Sequence, residues 1–118
     1  MDVLICEDDE AIFEIISIVV EDMGYKWKGA TNAAELLAIA KKNQPKLMVI
    51  DYWLGQIKAD ALIEDLKKLP NTSNSKILLI SATFHLKEIA ASLAVDDSLE
   101  KPFDIVTLQE RISNLINS

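Results

Sequence analysis

Leu47-Met48-Val49-Ile50-Asp51 is the segment from which the architecture can be read, since four consecutive apolar residues lead directly into an acid. An apolar run without polar alternation is typical of a strand that is buried on both faces, as in a parallel sheet. Residues 77–80 form a second run of this kind, and Ser81 follows it. These two runs therefore predict central strands of a parallel sheet.

Helical patterns alternate with these and further strand-like runs. Helices are predicted over residues 10–23, 33–42, 59–69, 85–93 and 105–116, and further strands over residues 3–6, 25–30 and 95–99. Gly24 is expected to end the first helix, and Asn32 is expected to cap the second, with Glu35 at its third position. Five strand–helix units in series predict an α/β fold, a parallel sheet with helices on both faces, within one domain over residues 1–118.

Composition and charge restrict the function classes that need to be considered. The chain has 118 residues, of which 50% are apolar, and a net charge of −7. An acidic surface repels phosphate backbones, so we expect no direct binding to nucleic acid. The first apolar run is too short for a signal peptide and no run could span a membrane, so we expect a soluble, cytoplasmic protein with no membrane contact. Cys6 is the only cysteine, which excludes an internal disulfide, and we expect it to be buried.

Charged and polar residues follow four of the five predicted strands. They are Glu7, Asp8, Asp9 and Glu10 after the first strand, Asp51 after the third, Ser81 after the fourth and Lys101 after the fifth. Because the carboxyl ends of parallel strands meet at one edge of the sheet, we expect these side chains to lie together. Glu7, Asp8 and Asp51 would repel one another without a cation, and an all-oxygen ligand set favours Mg²⁺.

This set of side chains has the parts needed to phosphorylate an aspartate. A carboxylate can act as a nucleophile toward phosphorus and form an acyl phosphate. The transfer requires charge neutralisation on the phosphoryl oxygens, which Mg²⁺, the Lys101 ammonium and the Ser81 hydroxyl could supply. Each residue also has a purely structural interpretation: an acidic helix start for residues 7–10, a loop acid or helix cap for Asp51, and structural or surface positions for Ser81 and Lys101. Their joint placement at successive strand ends favours the functional interpretation.

The same residues resemble those of the receiver domains of two-component response regulators, the CheY-like family. The matching segments are Val3-Leu4-Ile5-Cys6-Glu7-Asp8-Asp9-Glu10, Leu47-Met48-Val49-Ile50-Asp51, Leu79-Ile80-Ser81-Ala82 and Asp96-Asp97-Ser98-Leu99-Glu100-Lys101-Pro102-Phe103. The likeness extends over essentially the whole chain. It implies a doubly wound, five-stranded parallel sheet of the flavodoxin and CheY type, in the order 2-1-3-4-5, with five helices on its two faces.

The resemblance also implies a function. Asp51 would receive a phosphoryl group from a phosphohistidine on a sensor histidine kinase or a histidine phosphotransfer protein, and this would switch binding to a downstream protein target. The domain would catalyse only its own phosphorylation and slow dephosphorylation, so it would not be a conventional enzyme. In the family, the last helix and the strand before it often mediate pairing, and the sequence leaves open whether this chain forms a homodimer.

The resemblance assigns roles to individual site residues. Asp8 and Asp51 would bind Mg²⁺ directly, Glu7 would act mostly through water, and the backbone carbonyl of Trp53 would be a further ligand. Lys101 and Ser81 would contact the phosphoryl group. The peptide bond between Lys101 and Pro102 would be cis.

Several positions depart from the family pattern. Gly55 and Ala59 stand where the family usually has proline and glycine, and Ser98 stands where it usually has the aromatic switch residue. A serine cannot fill the pocket that the ring enters, so we predict that the output runs through movement of residues 82–93 or that the chain serves mainly as a phosphate relay.

Trp53 and Thr83 occupy the two variable positions that flank the acceptor in this family. One hypothesis is that the Trp53 indole shields the acyl phosphate from attacking water. The alternative is that Trp53 is a docking residue for the partner.

Three other functions are alternatives to a phosphoacceptor. A degenerate receiver would act as an interaction module without phosphorylation, and Mg²⁺-dependent labelling would separate it from a phosphoacceptor. A nucleotide- or flavin-binding protein would need a glycine-rich loop after the first strand, where this chain has four acids. A haloacid-type phosphatase would need a second aspartate two residues after the first, where this chain has Trp53.

Overall fold

Five parallel strands form the central sheet of the computed structural model, which describes residues 1–118. In chain order the strands are β1 (Val3–Cys6), β2 (Trp27–Ala30), β3 (Leu47–Asp51), β4 (Trp53–Leu54), β5 (Ile57–Lys58), β6 (Lys76–Ser81) and β7 (Asp97–Glu100). The sheet has the order β2-β1-β3-β6-β7, while β4 and β5 form a separate antiparallel hairpin. Without the hairpin this is the predicted order 2-1-3-4-5, which is therefore confirmed.

Five helices connect the strands: α1 (Glu10–Asp22), α2 (Ala33–Ala40), α3 (Asp60–Lys68), α4 (Leu86–Ser92) and α5 (Ile105–Ile116). The side chains of Asp9, Asn32 and Asp104 cap α1, α2 and α5 by accepting the N–H groups of Ile12, Glu35 and Thr107 at 3.1, 2.9 and 2.7 Å. The predicted cap at Asn32 is thus confirmed. No helix combines the length and the apolar character that crossing a membrane would require.

The two faces of the sheet bury separate cores, because successive residues of a strand point to opposite sides. Met48 and Ile50 of β3 lie in a core shared with α2, α3 and α4, whereas Leu47 and Val49 lie in a core shared with α1 and α5. All four side chains are fully buried. This two-sided burial explains why β3 carries no polar residue before its last position.

Two strands begin later than the sequence pattern predicts, and for the same reason. β2 starts at Trp27 rather than at residue 25, because the Tyr25 N–H donates to the Val20 carbonyl at 3.1 Å and closes the turn after α1. β7 spans residues 97–100 rather than 95–99, because the Val95 N–H donates to the Ala90 carbonyl at 3.1 Å after α4. In both places the backbone before the strand completes a helix end.

The helix boundaries differ from the predicted ones by small amounts. α1 to α4 are one or two residues shorter than predicted, and α5 has the predicted bounds. α4 begins at Leu86 because His85 before it has a left-handed backbone, with φ of 61°. Ile105, the first residue of α5, is 53% exposed, and the buried face of the helix begins one turn later, at Leu108.

Candidate functional site

The carboxyl ends of β1 and β3 bring three acids together, as the parallel arrangement predicts. Cys6 at the end of β1 pairs with Ile50 of β3, so Glu7 and Asp8 follow one strand at the level where Asp51 ends the other. One carboxylate oxygen from each acid lies within 4.8 Å of the other two. Glu7 and Asp51 are buried, and Asp8 is exposed to solvent.

Lys101 reaches this acidic cluster from the far side of the sheet. Its backbone N–H donates to the Ser81 carbonyl at 2.9 Å, which fixes the start of the segment after β7 to the end of β6. Its Nζ lies 2.6 Å from Glu7 Oε1 and 3.0 Å from Asp51 Oδ2. The peptide bond between Lys101 and Pro102 is cis, as the family resemblance implied.

The charges of the cluster do not balance. Burial and the neighbouring Asp51 raise the pKa of Glu7 to about 8, although Lys101 acts in the opposite direction. Burial by itself would lower the pKa of Lys101, but its bonds to Glu7 and Asp51 outweigh this effect and raise it. One ammonium group therefore faces three carboxylic acids, and the oxygen atoms of Glu7, Asp8 and Asp51 could hold a hard divalent cation.

Cys6 lies directly beside the cluster but has no part in its chemistry. Its side chain is fully buried, as predicted. Burial, Glu7 and Asp51 raise the pKa of its thiol to about 12. Because the thiolate is the reactive form, Cys6 is an inert core residue.

Ser81 ends β6, the strand next to β3, and the residue is only 2% exposed. Its Oγ lies 2.9 Å from Thr83 Oγ1 and also accepts the Thr83 N–H at 3.2 Å. The register pairs Asp51 with Ile80, the residue before Ser81. The predicted hydroxyl therefore lies on the strand adjacent to the predicted acceptor, and its contact with a phosphoryl group stays a prediction.

Trp53 contacts both sides of the site. Its backbone N–H donates to Asp51 Oδ1 at 3.2 Å, and its indole Nε1 donates to Thr83 Oγ1 at 2.9 Å. The ring lies edge-on to Tyr52, with 5.9 Å between the centroids, and Lys58 Nζ lies 5.4 Å from the Trp53 centroid. The ligand role of the Trp53 carbonyl stays a prediction.

Sequence reasoning missed the hairpin that holds Trp53. β4 and β5 enclose the two-residue loop Gly55-Gln56, and Gly55 has φ of 66°. The Gly55 N–H donates to Asp8 Oδ2 at 2.8 Å, so the hairpin also fixes one of the predicted metal ligands. The available signal was the glycine itself, because Gly at the first position of a two-residue loop favours a hairpin.

Ser98, at the position of the usual aromatic residue, leaves open space beside β7. A cavity of about 310 Å³ is lined by Ser98, Phe103 and Arg111, among others. Arg111 Nη1 donates to the Ser98 carbonyl at 2.5 Å and to Asp97 Oδ1 at 2.9 Å. α5 is therefore fastened to β7 by an arginine at this position.

Residues 3–113 match the family model described as response regulator receiver domain. Among curated proteins, the DNA-binding dual master transcriptional regulator RpaA of Synechocystis is 28% identical over 116 residues, which are 97% of this chain and 48% of RpaA. The chain thus spans about half the length of that relative.

Solved structures give the same result for the fold. A putative response regulator from Chloroflexus aurantiacus superposes with a TM-score of 0.89 and 28% identity, over 99% of this chain and 98% of that one. The receiver domain of a sensor histidine kinase from Pseudomonas aeruginosa, which has a magnesium ion coordinated in its active-site cleft, superposes with a TM-score of 0.89 at 18% identity, over 99% and 98% of the two chains.

Proposed function

The chain belongs to the response regulator receiver domain family, and we propose that Asp51 accepts a phosphoryl group from a partner's phosphohistidine in a Mg²⁺-dependent reaction. One observation carries the proposal. The Asp51 carboxylate has one oxygen on the Trp53 N–H and the other 3.0 Å from Lys101 Nζ, beside Glu7 and Asp8. The acceptor, a cation and a metal-ligand set thus meet at one carboxylate.

Glu7, Asp8 and Asp51 fit a divalent cation by their chemistry. All three offer carboxylate oxygens, and the cluster has more acid than Lys101 can neutralise. Asp8 and Asp51 would bind Mg²⁺ directly, with the Trp53 carbonyl as a further ligand, while Glu7, which is tied to Lys101, would act through water. When bound, Mg²⁺ supplies positive charge to the phosphoryl oxygens.

The protein side chains supply the rest of the chemistry. An Asp51 oxygen attacks phosphorus and forms an acyl phosphate, the bond between phosphorus and the donor's imidazole nitrogen breaks, and the nitrogen keeps the electron pair and binds a proton. The Lys101 ammonium and the Ser81 hydroxyl donate hydrogen bonds to the phosphoryl oxygens, where charge is concentrated. Hydrolysis later restores Asp51, so the chain acts only on itself.

The partners follow from this chemistry. The donor is a protein with a phosphorylated histidine, a sensor kinase or a phosphotransfer protein, and the reader of the switch is a downstream protein. RpaA is a DNA-binding regulator, but this chain spans only 48% of it. A net charge of −7 argues against direct contact between residues 1–118 and a nucleic acid backbone.

Intact-mass measurement after incubation with acetyl phosphate or phosphoramidate tests the proposal. With Mg²⁺, the wild-type chain should gain about one phosphoryl group, and it should gain none with EDTA. Asp51→Asn should abolish the gain, whereas Asp65→Asn, a matched change at an exposed position on α3, should leave it intact. If neither the small donors nor a phosphohistidine protein label the wild-type chain, it is a phosphorylation-independent interaction module instead.

A further inference from the structure

A chain of hydrogen bonds connects the indole of Trp53 to the hydroxyl of Ser81. Trp53 Nε1 donates to Thr83 Oγ1 at 2.9 Å, and Thr83 Oγ1 lies 2.9 Å from Ser81 Oγ. Thr83 also gives its backbone N–H to Ser81 Oγ at 3.2 Å, so Thr83 supplies both partners of that hydroxyl. The geometry of Ser81 therefore depends on a residue that Trp53 in turn holds.

The indole N–H favours one direction of donation along these hydrogen bonds. An indole N–H can only donate a hydrogen bond, whereas a hydroxyl can donate one and accept two. Either hydroxyl can donate across the 2.9 Å contact between Thr83 Oγ1 and Ser81 Oγ. Because Thr83 Oγ1 accepts the indole N–H, its own O–H becomes a stronger donor, which favours donation from Thr83 to Ser81. When Thr83 donates both its N–H and its O–H to Ser81 Oγ, the Ser81 proton is free to point away from Thr83.

We infer that Trp53 and Thr83 are positioning residues that orient the Ser81 hydroxyl as a donor to the phosphoryl group on Asp51, an inference that rests on the proposed function. Trp53 suits this task because its main chain bonds Asp51 Oδ1 while its side chain bonds Thr83. The same residue thus sets the acceptor and, through Thr83, the hydroxyl on the neighbouring strand.

The surroundings of Trp53 keep the indole in place. The hairpin pairs Trp53 with Lys58, whose Nζ lies 5.4 Å from the ring centroid, and Tyr52 contacts the ring edge-on. The contacts with Lys58 and Tyr52, together with the hydrogen bond to Thr83, thus fix the side chain of a residue that is still 38% exposed. The N–H of the indole, rather than its bulk, is the feature required by the hydrogen bonds from Trp53 through Thr83 to Ser81.

The test measures the rate of phosphorylation by phosphoramidate, a donor too small to depend on a protein docking surface. Trp53→Phe keeps a ring but removes the N–H, and Thr83→Val keeps the shape but removes the hydroxyl. Each should slow phosphorylation by about 2- to 10-fold, the effect of one hydrogen bond. The double variant should be no slower than Thr83→Val alone, because both changes break the same chain. Thr83→Ser, which restores the hydroxyl, should recover the wild-type rate.

Matched controls separate this relay from a general structural effect. Trp27→Phe removes the other indole N–H, which lies outside the site and donates to Glu21 Oε1 at 2.9 Å. This change should leave the phosphorylation rate unchanged. The Mg²⁺ affinity, measured by calorimetry, should be the same in Trp53→Phe and wild type. The positioning role would be overturned if Trp53→Phe were phosphorylated at the wild-type rate, or if the losses of the two single variants multiplied in the double variant. Labelling of the wild-type chain would in that case still support the proposed function. A wild-type chain that takes up no phosphoryl group would refute both.

Discussion

Binding of Mg²⁺ should be coupled to loss of a proton from Glu7. Burial and Asp51 raise the pKa of Glu7 from 4.5 to about 8 in the metal-free site. At that pKa about one Glu7 side chain in ten is ionised at pH 7, and about one in a hundred at pH 6. A cation that requires the carboxylate form must displace the proton, so the apparent Mg²⁺ affinity should rise by up to about tenfold per pH unit between pH 6 and 8, and level off above.

The raised pKa of Glu7 also determines how the free energy of unfolding changes with pH. A carboxyl whose pKa is raised on folding is favoured in its protonated form. In the metal-free protein, Glu7 should therefore make its full contribution to the free energy of unfolding below about pH 4.5. This contribution should be lost progressively as the pH rises through 8. Saturating Mg²⁺ should reverse this loss, because it stabilises the ionised cluster.

Calorimetry from pH 6 to 9, in two buffers of different ionisation enthalpy, measures the affinity and the number of protons released. Glu7→Gln provides the control: it has no proton to lose, so the pH dependence between 6 and 8 should disappear while some Mg²⁺ binding to Asp8 and Asp51 remains. If the wild-type affinity is flat from pH 6 to 8, or if no proton is released at pH 7, Glu7 is already ionised in the free protein and the reasoning fails.

Three further substitutions test the shielding of the acyl phosphate by Trp53, the packing of Gly29 against Phe13 and the Asn32 cap of α2. Trp53→Asn removes the bulk beside the acceptor and should shorten the phosphate lifetime several-fold relative to Trp53→Phe, which also lacks the indole N–H but keeps a ring; equal phosphate lifetimes in these two variants would refute shielding. Gly29→Ala should lower the free energy of unfolding in urea by about 1–3 kcal/mol, because its Cβ would lie 2.2 Å from Cζ of Phe13, and adding Phe13→Leu should recover part of the loss. Asn32→Ala should lower it by about 1 kcal/mol through loss of the α2 cap, and Asn32→Asp should not.

Much of the fold could be predicted because burial on both faces leaves a strong trace in a strand. β3 is apolar up to Asp51, and β6 is apolar from Ile77 up to Ser81; the polar last residue of each strand marks the functional edge. The start of β2 could not be predicted in this way, because Tyr25 is apolar enough to continue a strand but its N–H donates to the Val20 carbonyl of α1. The local sequence pattern shows which residues are apolar. It does not show where a carbonyl at the end of a helix accepts a hydrogen bond from the backbone N–H of a residue that precedes the next strand.

The site could be predicted in its chemical types but not in its full hydrogen bonding. Glu7, Asp8, Asp51 and Lys101 come from separate strand ends, and parallel topology alone brings them together. The bond from the Trp53 indole to the Thr83 hydroxyl joins residues 30 positions apart. It depends on the β4–β5 hairpin and on the orientation of the Trp53 side chain, neither of which leaves a periodic pattern in the sequence.

The hydrogen bonds around Ser81 also bear on how this chain transmits a signal without an aromatic residue at Ser98. Position 98 has a serine and therefore no ring that could move inward, and Arg111 ties α5 to β7 through the Ser98 carbonyl. If the Ser81 hydroxyl shifts toward a phosphoryl group, its bonds to Thr83 must lengthen, or Thr83 must follow and draw on the indole of Trp53. Either response displaces the segment after β6 or the β4–β5 hairpin before it reaches β7. Displacement of the segment after β6 corresponds to movement of residues 82–93, one of the two alternatives predicted from the sequence; the other is that the chain serves mainly as a phosphate relay.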